Sequence, residues 1–337
     1  MQGFPLFETA LWAASGMGIK AYLKKVAGLW SKFSQVAARH PDSWSKQSRT
    51  PDEILHQSSA NRPIAFPYTK FMNSFVTVDQ SAAVILMSAD YAKEYGPRQG
   101  KTVYFCGGGY AEDRQRFMVE KSDFTSSPPL KAAVDKALDR SGMTLDEMDC
   151  FDLYSCFPCA VSIAKKMMGI QDNDPRTLTL TGGLGFFGGP GNNYNLHAVV
   201  TLCGMIAAGK KTTGLVTALG WFMHKHAAGI YSSQQPKKSL AAMDIEDQTD
   251  FLAGPDPVEL DRNPSGTGVI ETYTIVYNRD HSPAYAVLYG RTEKGLRFIA
   301  QTPKDPKIFK ALSCQSLVGE TVTLALDPKQ NLTIGSF

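Results

Sequence analysis

Residues 181–197 read Thr-Gly-Gly-Leu-Gly-Phe-Phe-Gly-Gly-Pro-Gly-Asn-Asn-Tyr-Asn-Leu-His, with glycines at 182, 183, 185, 188, 189 and 191. A helical pattern begins where this stretch ends. Ala198, Leu202, Met205 and Ile206 recur at three- and four-residue steps and give one apolar face. A glycine loop feeding a helix lets backbone N–H groups approach a ligand with no Cβ in the way. At a helix start those groups face an anion or a polarised carbonyl oxygen. Pro190 fixes the turn, and Asn192 or Asn193 is placed to cap the helix. A tight structural turn explains the same glycines equally well. The spacing is not the dinucleotide fingerprint, and with no Gly-Lys-Ser/Thr following it is not a phosphate loop.

Working outward, residues 150–154 predict a strand, and Ser155-Cys-Phe-Pro-Cys opens a helix through Val161, Ala164 and Met168. Residues 127–142 predict another helix, capped by Ser127, with prolines in its first turn and Gly142 at its end. Residues 214–220 read as a buried strand. The order of helices and strands defines an α/β layered fold.

Residues 4–60 are helical and loop-rich. One helix buries Ile19, Leu23, Val26, Leu29, Trp30 and Phe33 and turns Lys20, Lys24, Lys25 and Lys32 to water. Prolines 63 and 67 hold residues 61–68 extended. Residues 76–78 read as a strand tail. Residues 80–88 are apolar and uncharged, and their small side chains predict tight packing in a central layer. A helix end and turn closing at Gly96-Pro97 precedes a short buried strand at 103–106 and then Gly107-Gly-Gly.

Residues 237–264 are acidic and proline-bearing, as a linker is. Beyond Gly268, short alternating strands at 272–277, 284–289, 296–301 and 321–326, with a small helix at 307–312, predict a five-strand barrel.

Composition bounds the rest. A chain of 337 residues holds two or three domains and a proper core. Hydrophobic content of 43%, charge of 20% and net charge +3 exclude a nucleic-acid-binding design. Six cysteines without short-chain disulfide spacing predict free thiols in a cytoplasmic setting. No apolar run reaches membrane-span length. The N-terminus has no basic-then-apolar leader and reads as if it begins inside a protein.

Tyr154-Ser155-Cys156-Phe157-Pro158-Cys159 lies where a strand meets a helix, a position that lowers a cysteine pKa. Cys156 and Cys159 are a redox pair, half a metal site, or two packed thiols. No second pair exists to complete a zinc site, so no metal is expected. His224 and His226 point to opposite faces of a strand and do not share a metal. One lines a pocket while the other packs or faces solvent. His197, near its helix start, projects toward the glycine loop.

Taken together these segments resemble the thiolase superfamily, specifically its sterol-carrier-type and thiolase-like branch, whose members are commonly labelled acetyl-CoA acetyltransferases. The resemblance rests on Phe66-Pro-Tyr through Asn73 to Asp79-Gln-Ser-Ala-Ala, on Asp152-Leu-Tyr-Ser-Cys-Phe-Pro, on residues 181–197 and on residues 214–231. It covers about residues 4–235. It implies a thiolase-like layered α/β fold with a partial N-terminal half and a complete C-terminal half, followed by a small all-β, OB-like barrel. The corresponding domains are 1–72 (helical and loop region), 73–122 (N-terminal remnant), 123–235 (C-terminal domain), 236–267 (linker) and 268–337 (barrel).

Each visible catalytic element departs from the family pattern. The Gly-His-Pro loop reads Gly188-Gly189-Pro190, and the late Cys-x-Gly reads Ala218-Leu219-Gly220. The His-Asp-Cys-Phe motif reads Tyr154-Ser155-Cys156-Phe157, and the nucleophilic half is largely missing. Claisen condensation needs a thiolate and a base, so ordinary thiolase turnover is expected to be absent or very weak.

The resemblance implies an acyl-CoA-binding protein, nominally an acyltransferase, with an altered site. Tyr154, Cys156, His197, His224 and His226 are its candidate catalytic groups. Gly188, Gly189, Asn192, Asn193 and Asn73 are the candidates for holding the coenzyme A thioester. In the aldolase branch a tyrosine replaces the same histidine, which makes a retro-aldol lyase on β-hydroxyacyl-CoA the alternative. A non-catalytic truncated or scaffold subunit is the third reading. The expected partners are acyl-CoA and either a second copy or a protein supplying the missing half. A lone chain is expected to expose the sheet face that half meets, with dimerisation or poor solubility as the result.

Overall fold

Three helices lead the chain. α1 (Phe4–Ser15) begins with Pro5 in its first turn and ends at Gly16, which takes a left-handed φ of 64°. α2 (Ile19–Arg39) buries Tyr22, Val26, Trp30, Phe33 and Ala37 on one stripe, and its lysines at 20, 24, 25 and 32 stay exposed. The short α3 (Pro51–Leu55) starts from a reciprocal Thr50–Glu53 capping box. Strands β1 (Pro63–Ala65) and β2 (Tyr68–Thr69) then pair as an antiparallel hairpin. The computed structural model describes residues 3–96, 102–238, 252–328 and 332–337.

Between this hairpin and α4 (Ala89–Tyr95) the structure departs from expectation. Residues 76–88 form no strand, and Ile85 and Leu86 are 85% and 82% exposed. Apolar composition marks a segment that needs a cover, and nothing among the described residues supplies one. Gly96 does close α4, its N–H donating to the Ala92 carbonyl. Pro97 lies outside the described residues.

The α/β layer is a five-stranded sheet built from β3 (Tyr104–Asp113), β4 (Cys150–Asp152), β5 (Thr213–Gly220), β6 (Lys225–Ser232) and β7 (Leu252–Ala253). Its order is β4-β5-β6-β3-β7, with β4 parallel to β5, β7 parallel to β3, and β6 antiparallel to both its neighbours. α5 (Pro128–Ser141) lies directly on β3. The strand expected at 103–106 thus runs on through the triglycine to Asp113. A Cβ on Gly109 would sit 1.9 Å from the Ala133 carbonyl oxygen, so the helix backbone needs that room.

α5 and α6 (Pro158–Met168) share a core with Phe151, Leu215 and Ile230. Cys150 and Val216 point to the other face, against Ala198, Leu202 and Ile206 of α7 (Tyr194–Ala207). Three layers result.

A second sheet closes on itself. β8 (Gly266–Tyr277), β9 (Pro283–Thr292), β10 (Arg297–Gln301), β11 (Thr321–Asp327) and β12 (Leu332–Ser336) form the ring β8-β9-β10-β12-β11-β8, with only β10 and β12 parallel. α8 (Pro306–Cys314) leads from β10 towards β11. The barrel expected from the sequence is thus present. Its fifth strand, β12, had no clear alternation to announce it.

β8 outruns the barrel. Its Val276 pairs with Ala65 of β1, Thr274 Oγ1 donates to the Phe66 carbonyl at 2.9 Å, and Thr272 Oγ1 donates to the Leu6 carbonyl. Fully buried Arg297 donates to the carbonyls of Val119 and Lys121 and to Glu271. Residues 252–261 run along β3 and β10, while residues 239–251 of the expected linker lie outside the described residues.

Candidate functional site

Asp152, the last residue of β4, is completely buried and organises the region around the glycine loop. Its Oδ2 accepts from the N–H groups of Leu180 at 2.7 Å and Thr181 at 3.2 Å, and from the hydroxyls of Thr179 and Thr181. Its Oδ1 accepts from the Tyr194 hydroxyl at 3.2 Å. Thr181 Oγ1 lies 2.8 Å from that hydroxyl, and Ser155 Oγ lies 3.4 Å from it. One carboxyl group thereby pins the entry of the glycine loop, the first residue of α7 and the end of β4 together. Burial pushes its pKa up to about 6 against the pull of these hydrogen bonds.

Tyr154 stands on this platform, half-buried. Its N–H donates to Thr217 Oγ1 at 2.9 Å, and its ring meets the Tyr194 ring edge-on with centroids 5.5 Å apart. The tyrosine at the strand end and the exit of the glycine loop are neighbours. Burial raises its phenol pKa, so the hydroxyl stays protonated at neutral pH.

The thiols behave differently from expectation. Cys156 begins the turn into α6, yet burial raises its pKa far more than a helix start lowers it. The carbonyl of Cys156 accepts from Ser74 Oγ at 2.7 Å. Cys159 is fully buried and its Sγ–H donates to the Phe4 carbonyl at 3.5 Å. They are two packed thiols held protonated.

The glycine loop is packed on its protein side. A Cβ on Gly182 would strike Ala37 of α2 at 2.4 Å, and one on Gly183 would lie 2.8 Å from both Phe33 and Ser155 Oγ. Gly188, at φ 122°, faces Gln80 Oε1 at 2.3 Å from its Cβ position. The Gly189 N–H donates to the Phe75 carbonyl at 2.8 Å. That amide is therefore engaged and does not point at a ligand, as the sequence alone led us to expect. α2 and the segment before Gln80 occupy this side of the loop.

The asparagines also differ. Asn193 takes the N-cap position of α7 without a side-chain cap bond, and its Oδ1 is buried without a partner. Asn192 is exposed in a single helical turn. Asn73 Nδ2 donates to the Thr69 carbonyl at 2.7 Å, closing the turn that leads out of β2.

His197 lies in the first turns of α7, buried against the Phe187 ring at 5.2 Å, with its Nε2 enclosed and unpartnered. Burial lowers its pKa. His226, on β6, is buried with its Nε2 3.0 Å from Ser127 Oγ, and burial brings its pKa down to about 3. Ser127 thus serves His226 and makes no cap bond to α5. His224 precedes β6, half-buried, with Nδ1 enclosed and its carbonyl accepting from the Asp113 N–H. Close by, Lys121 and Asp113 form a buried ion pair. The histidines at 224 and 226 thus belong to the β3–β6 side of the sheet, and the hydrogen-bonded platform of Tyr154 includes neither.

Sequence reasoning passed over Asp152 and its partners as functional residues. A lone carboxylate after two apolar strand residues, followed downstream by Thr-x-Thr before the glycines, was the available signal, since a buried charge demands donors. Glu8 was likewise missed. It is fully buried, accepts from Tyr22 and from Tyr68 at 2.5 Å, and Tyr68 in turn accepts from the Cys159 N–H. Burial raises its pKa.

A three-layer α/β sheet with a glycine loop entering a buried helix, a tyrosine at the neighbouring strand end and an appended closed barrel defines a thiolase-superfamily architecture. Residues 249–329 match the family described as thiolase-like protein type 1 additional C-terminal domain. The crystal structure of a monomeric SCP2-thiolase-like protein type 1 from Mycobacterium smegmatis superposes with a TM-score of 0.85 at 31% identity, over 100% of this chain and 72% of that one. The chain belongs to the SCP2-thiolase-like protein type 1 family.

Curated relatives are more distant. Acetyl-CoA acetyltransferase 1 of Arabidopsis thaliana is 28% identical over 139 residues, 41% of this chain and 30% of that protein. The 3-ketoacyl-CoA thiolase of Pseudoalteromonas atlantica is 26% identical over 212 residues, 59% and 51% of the two chains. The probable acetyl-CoA acetyltransferase of Dictyostelium discoideum is 32% identical over 124 residues, 37% of this chain and 27% of that protein. This chain spans between about a quarter and a half of the length of these relatives.

Proposed function

We propose that this chain binds an acyl-coenzyme A thioester beside Tyr154 and does not by itself carry out Claisen condensation. The observation that carries the reading is the platform: Asp152 fixes the glycine-loop entry and Tyr194, and the Tyr154 ring stands against Tyr194 at 5.5 Å. The groups condensation requires are not offered there. Cys156 is buried and protonated, and positions 189 and 218 carry glycine and alanine. A protonated phenol donates a hydrogen bond to a thioester oxygen without any ionisation of its own.

With the Gly189 amide engaged, Tyr154 is the donor we assign to that oxygen. Asn192, exposed near the loop exit, is placed for the ligand's polar arm. Isothermal titration with acetyl-CoA and longer acyl-CoAs tests the reading. Saturable binding is expected, weakened by Tyr154→Phe through about 1 kcal/mol, or roughly fivefold. An absence of binding to folded protein defeats it.

The second reading is favoured by the same tyrosine. In a retro-aldol cleavage of β-hydroxyacyl-CoA the β-hydroxyl proton passes to water as the Cα–Cβ bond breaks and the carbonyl forms, and the enolate carbon regains a proton from water. A phenol kept protonated by burial hydrogen-bonds the enolate oxygen meanwhile. Appearance of free aldehyde or ketone, lost in Tyr154→Phe, is its expected signature, and an intact substrate after prolonged incubation rejects it. Either activity places the chain in lipid metabolism. Six free cysteines suit a reducing, cytoplasmic compartment, and among the described residues no helix is long and apolar enough to cross a membrane. The ring order of the barrel, with one parallel pair closing it, supports reading the extension as OB-like.

A further inference from the structure

We propose that Trp221 is the surface on which the acyl chain of the bound thioester lies, so that the site prefers coenzyme A esters of apolar chains of about eight to ten carbons over acetyl-CoA. The inference rests on the reading that a thioester lies beside Tyr154. Trp221 opens the turn between β5 and β6 and is 75% exposed. Its φ is 52°, and that of Met223 in the same turn is 62°. Bulky side chains seldom take this left-handed region, whereas glycine enters it freely. The fold itself therefore has no need of an indole at this position. A costly backbone that carries an unburied aromatic is not explained by packing and points to a use at the surface.

The turn that presents Trp221 is fixed. Phe222 packs on the Phe4 ring with centroids 5.9 Å apart. Met223 is buried, and its carbonyl accepts from Lys121 Nζ at 3.5 Å. The His224 carbonyl accepts from the Asp113 N–H at 2.7 Å. An aromatic side chain on so rigid a support gives up little backbone freedom when a ligand settles on it.

The position in the sheet supplies the ligand's class. β4 and β5 run parallel, so Tyr154 beyond β4 and Trp221 beyond β5 stand at the same carboxyl edge, where ligands of open α/β sheets bind. The Tyr154 N–H donates to Thr217 Oγ1 at 2.9 Å, and Trp221 follows Thr217 along the same strand and its turn. Four residues of strand span about 13 Å at most, the length of an extended chain of about eight to ten carbons. Along this path the side chains that share the α7 face with Val216 are those of Ala218 and Gly220, which leave the way clear. An indole at the far end lets apolar carbons leave water.

The test titrates the full chain by calorimetry with acetyl-, butanoyl-, octanoyl- and decanoyl-CoA. Octanoyl-CoA is expected to bind at least about tenfold tighter than acetyl-CoA. Trp221→Gly suits the left-handed backbone and should fold as the parent does. It is expected to cut that ratio to about twofold or less. Octanoyl-CoA with bromine on its last carbon should quench tryptophan emission in the parent and not in Trp221→Gly. Octanoyl-CoA bound no tighter than acetyl-CoA overturns the inference and leaves thioester binding beside Tyr154 standing. An unchanged ratio in folded Trp221→Gly, or quenching that survives the substitution, overturns it as well. Failure of every thioester to bind defeats the Tyr154 reading, and this inference with it.

Discussion

At the scale of single residues, burial decides the chemistry. The carboxyl of Asp152 is raised to about 6 by desolvation, whereas His226 is lowered to about 3 by the same cause. The stability consequences have opposite signs. An acid whose folded pKa lies above its unfolded value is most favourable below the unfolded value, near 3.8, and its contribution is lost as pH rises through 6. A histidine depressed below 6.5 contributes fully above 6.5, and that contribution is lost as pH falls towards 3. Urea unfolding from about pH 4 to about pH 6 should show Asp152→Asn gaining on wild type by about 2 kcal/mol as pH rises. His226→Asn should gain on wild type as pH falls. Parallel curves for variant and parent would remove the argument. The thiols supply a second check. Brief alkylation of native protein at about pH 8 should modify exposed Cys314 and leave Cys106, Cys150, Cys156 and Cys159 intact, as peptide mass spectrometry reads.

At the scale of elements, glycine has opposite meanings in different places. Gly109 of β3 lies under the Ala133 carbonyl of α5, so Gly109→Ala should cost about 3 kcal/mol or more. Gly28, inside α2, has nothing within 4 Å of its Cβ position. Gly28→Ala should therefore raise stability by about 0.5–1 kcal/mol, measured by the midpoint of chemical unfolding. A neutral Gly109→Ala would show that the sheet–helix contact is looser than described, and a destabilised Gly28→Ala would show that α2 has no room for a methyl there. The distinction was invisible in the sequence, where Gly107-Gly-Gly looked like the end of a strand. Helix positions were legible, because α2, α5 and α6 carry the 3.6-residue apolar period and their own stop signals.

At the scale of the molecule, the barrel and the α/β layer share one continuous core that runs from Phe4 to Leu324. Arg297 bridges them, fully buried, with two carbonyls of the loop after β3 and the Glu271 carboxylate as acceptors. Replacing it with leucine leaves the Val119 and Lys121 carbonyls without their donor, while Glu271 keeps Arg291, and should cost about 2–4 kcal/mol. Calorimetry should still show a single transition, shifted down, since neither layer keeps its core alone. Two separated transitions in the parent protein would contradict this coupling.

The chain alone determined the layered α/β order, the appended barrel and the family, because periodicity, turn residues and local motifs act over a few positions. It did not determine that Asp152 is the hub, that Ser127 partners His226, or that the Gly189 amide is taken by Phe75. Those pairings join residues far apart in sequence, and the low dielectric that raises the Cys156 pKa exists only once the core has closed. Residues 80–88 show the limit most plainly. Their composition states that they want burial, but which surface provides it is a property of tertiary structure, and among the described residues none does.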